Sequence, residues 1–174
     1  PVQEEETNTT GKIFPEILHD KLLNQLKFDP ANYQNLFSSQ KRMISLYRYI
    51  FSRLSSHYVE LGLTDKALMI MDYSLKYFPD HLVRFDYNVY PFISNFFRLN
   101  KEEQAVNILK SCMNSCISEL ERLQKLPATD ENKQQMDFQL ASLNELTRIL
   151  EMYQPENKIL DEIREIIDKY HSWE

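Results

Sequence analysis

Glycine is almost missing from this chain, with two residues in 174. A sheet protein needs turn residues every few positions, so this scarcity predicts an all-α fold. Cysteine is equally scarce, and Cys112 and Cys116 stand one helical turn apart. No Cys/His quartet accompanies them, which argues against zinc, and side chains on successive turns rarely meet the torsion of a disulfide. Their expected role is core packing. No apolar run approaches the roughly 18 residues of a membrane span, and no signal-peptide pattern is present. The net charge is -6, and the pair Lys41 and Arg42 is too small to make a basic stripe, so no nucleic-acid partner is expected. A Gly-rich phosphate loop, a nucleophile elbow and a His-Glu-x-x-His sequence are all lacking. The segment is expected to be soluble by itself, and its acidic leader without an initiator Met fits a piece of a longer protein.

What is present is aromatic and periodic. Ten Tyr, ten Phe and one Trp suit helices that pack large rings against small residues. Over residues 48–81, Phe51, Leu54, Ser55 and Tyr58 are followed by Gly62, Ala67, Met71, Ser74 and Pro79. Each position has a physical task. Ser55 and Ser74 allow close approach of two helices, and Phe51, Leu54, Tyr58 and Met71 fill the space between them. Gly62 can take the left-handed conformation that closes a helix, Thr64 offers an N-cap to the next one, and Pro79 cannot continue it. The pattern resembles a tetratricopeptide (TPR) repeat. It implies antiparallel helical hairpins stacked in a right-handed superhelix, with about seven helices.

A degraded second copy over 86–119 follows when Asn100 is aligned with Gly62. Ala105 then falls on Ala67, Leu109 on Met71, Cys112 on Ser74 and Phe96 on Tyr58, while Ile93 stands where a small residue is expected. Pro91 suits the first turn of a helix starting near Tyr90. Apolar periodicity predicts a long helix over 101–126 ended by Pro127, then one capped by Thr129 or Asp130, and, after Pro155, a last amphipathic helix. These C-terminal helices, 130–172, are expected to cap the stack. Upstream, 1–12 reads as a disordered linker or tail and 15–27 as a helix. Phe28 to Asn35 joins it to a helix beginning near Lys41. Residues 13–174 thus form a single TPR-like helical domain.

The order Gly11-Lys12-Ile13, Leu22-Leu23-Asn24, Lys27-Phe28, then Arg42 and Leu46, Leu61-Gly62, Asp65-Lys66-Ala67 and Tyr77-Phe78-Pro79 resembles a further family. It is similar, over about residues 11–126, to the C-terminal region of large membrane proteins of unknown function from Bacteroidetes-type bacteria. Their N-terminal part resembles GT-C glycosyltransferases of the protein O-mannosyltransferase kind. This resemblance implies a TPR-like domain on the periplasmic side of a membrane-attached protein, with the transferase chemistry upstream and none of its catalytic residues in this segment.

Glu16 and His19 make a single Glu-x-x-His, whereas a di-iron bundle needs two such pairs and two more glutamates. Neither catalytic nor cofactor nor metal residues are therefore expected. In TPR proteins the first helix of each pair lines the groove, and the matching positions here are Tyr49, Ser52, Ser56 and Glu60, then Tyr90, Ser94 and Arg98. Ser52 and Ser56 occupy the places of the Lys and Asn that clamp a C-terminal carboxylate in chaperone-type TPRs. The strip suits an extended polypeptide or a glycan. It can equally be merely solvated, or covered by the N-terminal helix. The expected function is a non-catalytic protein-interaction domain whose partner is a protein, a peptide or its own membrane domain. A stand-alone small helical enzyme is the alternative.

Overall fold

The computed structural model describes residues 14–28 and 36–171. The tail expected at 1–12, the 29–35 part of the connection and residue 172 lie outside them. Among the described residues there are seven α-helices and no strand. α1 spans Pro15–Asp20 and runs into a π-helical turn, Lys21–Gln25. α2 is Ser38–Glu60, α3 Thr64–Tyr77, α4 Tyr90–Arg98, α5 Glu102–Leu123, α6 Asp130–Tyr153 and α7 Ile159–His171.

The stops fall where local chemistry predicts them. Gly62 has φ 70°, and Leu63 N–H donates to Tyr58 O (2.8 Å) while Gly62 N–H donates to Val59 O (3.1 Å). This pattern satisfies the last carbonyls of α2. The second copy repeats it bond for bond. Asn100 has φ 57°, Lys101 N–H reaches Phe96 O (2.8 Å) and Asn100 N–H reaches Phe97 O (3.0 Å). Thr129 Oγ1 accepts from Asn132 N–H and caps α6 as expected.

Two expected boundaries need correction. Thr64 does not cap α3; it is already the first helical residue, and Leu63 precedes it without a side-chain cap. The reason lies in the turn, where Leu63 both closes α2 and opens α3, its carbonyl accepting from Ala67 N–H at 3.0 Å. α2 also begins at Ser38 rather than near Lys41, because Gln40 Oε1 reaches back to Phe37 N–H at 2.8 Å and holds one more turn.

Three-residue connections after α2 and α4 force each helix to return on its predecessor. α2 packs on α3, α4 on α5, and α6 on both α5 and α7. The first members of the three pairs, α2, α4 and α6, then lie side by side. Ser45 donates to Asp86 Oδ2 (2.7 Å), just ahead of α4, and Asn95 further along α4 donates to Ser55 and Ser56 near the far end of α2 (3.1 and 3.0 Å). Partner numbers rise together, so α2 and α4 are parallel. The same holds for α4 and α6, where Tyr87 meets Phe138 edge-on (5.9 Å) just before α4 starts and Phe97 stacks on Tyr153 (5.0 Å) near its end. One core runs through the hairpins, from Phe51, Leu54 and Ala67 through Phe96 and Leu109 to Leu143, Leu146 and Ile163, each fully buried or nearly so. Cys112 and Cys116 are free thiols inside it.

Candidate interaction surface

The strip expected to line a groove divides in two. Tyr49 is half-buried, Ser56 and Ser94 are half-exposed, and Glu60 and Arg98 are exposed. Ser52 and Tyr90, expected to face a partner, are core residues at 0% and 8% exposure. Both errors have one cause. Aligning Asn100 with Gly62 places Tyr90 on Ser52, and that position meets the next parallel helix instead of solvent. Ser52 lies one turn from Ser55 and Ser56, which hold Asn95 of α4, and its hydroxyl donates to Tyr49 O at 2.8 Å. Tyr90 lies beside Ser142 of α6 and Cys116 of α5, and burial pushes its hydroxyl pKa far up.

Sequence reasoning missed two rings that the fold leaves outside. Tyr87 and Phe138 are each more than half exposed and sit edge to face across the start of α4 and the flank of α6. The signal was available for Tyr87, since the same alignment sets it on Tyr49. Phe138 belongs to no recognised copy, and only the stacking of α6 beside α4 brings it to this surface.

Arg48 was also missed, and it organises the connection between the first two hairpins. It is completely buried. Its Nε and Nη2 donate to Phe78 O at 3.1 and 2.9 Å, Nη1 to Arg84 O at 3.0 Å, and Nη2 further to Pro79 O and Val83 O. The guanidinium carbon stands 4.8 Å from the centre of the Phe85 ring. Burial pulls its pKa down to about 10, against the pull of Asp86 and Asp80, so it is cationic at neutral pH. A cation at the C-terminal end of α3 also complements the helix dipole. The two aspartates then take the remaining donors: Asp80 accepts from Phe85 N–H (2.6 Å) and Arg84 (2.7 Å), and Asp86 from Asn88 N–H (3.0 Å). The clamped loop delivers Asp86 to Ser45 and fixes where α4 begins.

At the other edge of α2, the α1 segment covers part of the strip. Phe14, Ile17, Leu18 and Lys21 face Tyr49, Ile50 and Arg53 across an open cleft of about 310 Å³. Glu16 and His19 are engaged separately. Glu16 pairs with Lys66 at 3.7 Å, and His19 Nδ1 shares a 3.0 Å hydrogen bond with the Tyr58 hydroxyl. Among the described residues no three His, Cys, Asp or Glu side chains gather as a metal site would require. The thiols are poor nucleophiles here, because burial raises both pKa values, that of Cys116 to about 11. Among the described residues no helix is long and apolar enough to cross a membrane. The chain matches no protein-family model, no curated protein and no solved structure.

Proposed function

We propose that this chain is a non-catalytic, TPR-like protein-interaction domain that holds an extended polypeptide or a neighbouring subunit along α2, α4 and α6. The observation that carries the reading is the parallel run of these three helices, each returning through its own hairpin partner. Parallel alternate helices give a repeat stack one continuous face, and such faces bind extended chains. The face left open here carries Tyr87, Phe138, Ser94, Arg98 and Glu60. Aromatic rings and arginine are the side chains in which interface energy concentrates.

The proposal takes the domain, from the ordered resemblance of residues 11–126, to belong to a larger membrane-attached glycosyltransferase-like protein and to lie on the periplasmic side. The polypeptide it recruits is then an acceptor for that protein or a partner subunit.

The test is site-specific photo-crosslinking in the full-length protein, with the probe at Ser94 and, separately, at Lys158 on the last helical pair. We expect a polypeptide captured at Ser94, with capture reduced about tenfold by Tyr87→Ala with Arg98→Glu, a loss of about 1–2 kcal/mol, while helicity is unchanged. Capture from Lys158 alone would sink the groove and favour docking of α7 onto the protein's own membrane part.

A further inference from the structure

The charge of this chain is unevenly placed. Between Lys21 and Val59 six Lys and Arg residues stand against a single carboxylate, Asp29, leaving 14 cations against 25 carboxylates in the rest of the sequence. α2 carries four cations before its first acid, Glu60. Arg48 is taken up by the buried carbonyl clamp, but Lys21, Lys41 and Arg42 are exposed and Arg53 is half-exposed. An acidic protein thus has a basic edge, which long-range electrostatics turns toward an anionic partner.

Helical spacing gathers part of that charge on one face together with apolar side chains. Arg42, Leu46, Tyr49 and Arg53 recur at four, three and four residues along the outside of α2, and Phe14, Ile17 and Lys21 recur at three and four along α1 and its flanks. The two rows meet across the open cleft of about 310 Å³, with Phe14, Ile17 and Lys21 on one bank and Tyr49, Ile50 and Arg53 on the other. Phe14, Ile17 and Leu46 are 60%, 57% and 47% exposed. The Arg53 guanidinium lies 5.8 Å from the centre of the Tyr49 ring. Among the described residues no carboxylate lines the cleft. The two acids of α1 are engaged elsewhere: Glu16 pairs with Lys66 of α3, and Asp20 accepts from Asn24 and Gln25.

We infer that this face is a peripheral membrane contact, in which Phe14, Ile17 and Leu46 enter the headgroup layer of an anionic bilayer and Lys21, Arg42 and Arg53 meet its phosphates. Large exposed apolar side chains set between cations, with no acid among them, suit a partner that offers apolar chains and negative charge side by side. An anionic lipid layer offers both over its whole area. The methylene stems of Lys and Arg let their charges stay at the phosphates while the apolar side chains sit deeper. Each cation near such a surface strengthens binding about fivefold, so three give about a hundredfold before any apolar contribution. The contact needs no membrane-crossing helix, and it does not depend on the α2, α4 and α6 face binding a polypeptide.

Flotation of the full chain with lipid vesicles tests it. Phosphatidylcholine vesicles carrying about a third phosphatidylglycerol should bind at least tenfold more tightly than pure phosphatidylcholine, with the difference shrinking as salt rises. Lys21→Glu with Arg42→Glu, and separately Phe14→Ser with Ile17→Ser, should each weaken binding at least tenfold while helicity and thermal midpoint stay put. A photoactivatable lipid in the same vesicles should label residues 14–21 and 42–53 of the wild-type chain and leave α5 and α7 unlabelled. That pattern is read without any substitution, so it decides the matter even where a variant folds poorly. No binding of the folded wild type to anionic vesicles, equal binding by both double variants, or labelling of α5 or α7 in place of α1 and α2 would overturn the inference. Capture of soluble polyglutamate without vesicle binding would assign the face to an acidic polypeptide and overturn it as well. Photo-crosslinking at Ser94 reads the polypeptide groove separately, so either proposal can fail while the other stands.

Discussion

A buried arginine without a carboxylate in direct contact looks costly until its donors are counted. Arg48 donates to four backbone carbonyls, from Phe78, Pro79, Val83 and Arg84, and its ring contact with Phe85 covers one face. Asp80 and Asp86 supply opposite charge at one remove. Replacing it with Met keeps much of the volume and leaves those acceptors short of donors. Arg48→Met should therefore lower unfolding free energy by about 3 kcal/mol, and Arg48→Lys should recover only part of the loss because an ammonium cannot span the fork. Urea denaturation with hydrogen exchange over 79–86 checks this. A loss under about 1 kcal/mol would show that water replaces the guanidinium freely.

Hairpins one and two are closed by the same turn built on different residues. An added Cβ at Gly62 would meet nothing within 4 Å, so any cost of Gly62→Ala comes from the backbone at φ 70° alone. We expect about 1 kcal/mol for that change and a similar loss for Asn100→Ala, whereas Asn100→Gly should be neutral or slightly stabilising. Thermal midpoints of the three variants decide it. A tolerated Asn100→Ala would mean that α4 and α5 are positioned by packing without help from the turn. The equivalence was legible in the sequence because a left-handed residue is selected by local sterics, and asparagine follows glycine in tolerating it. Thr64 was misread for a related reason. Nothing in the sequence reveals that Leu63 serves two helices at once.

Across the whole molecule, the two thiols couple the core to alkaline pH. Burial holds the Cys116 pKa up at about 11 and raises that of Cys112 as well. Below about 8.5, the pKa of an exposed thiol, both folded and unfolded chains keep these protons and the full stability is present. Between there and pH 11 the unfolded chain releases protons that the folded chain retains, so stability falls, by about 3 kcal/mol through Cys116 alone. Urea midpoints at pH 8 and 10.5 should draw apart in wild type and draw closer together in the Cys112→Ala, Cys116→Ala double variant. An unchanged difference would place the alkaline loss elsewhere. The sequence by itself determined the all-α class and most helix boundaries, including the stops around Gly62, Pro79, Pro127 and Pro155 and the cap at Thr129. These depend on backbone sterics and on side chains a few residues away. Which face of each helix stays open was decided only by tertiary structure. Ser52 and Tyr90 read as groove residues until α4 and α6 were laid beside them, Arg48 carried no signal until the loop closed over it, and Phe138 gained a ring partner from another helix. A hydroxyl, a ring or a guanidinium is compatible with water and with a satisfied interior alike, and the choice rests on partners some thirty or more residues away.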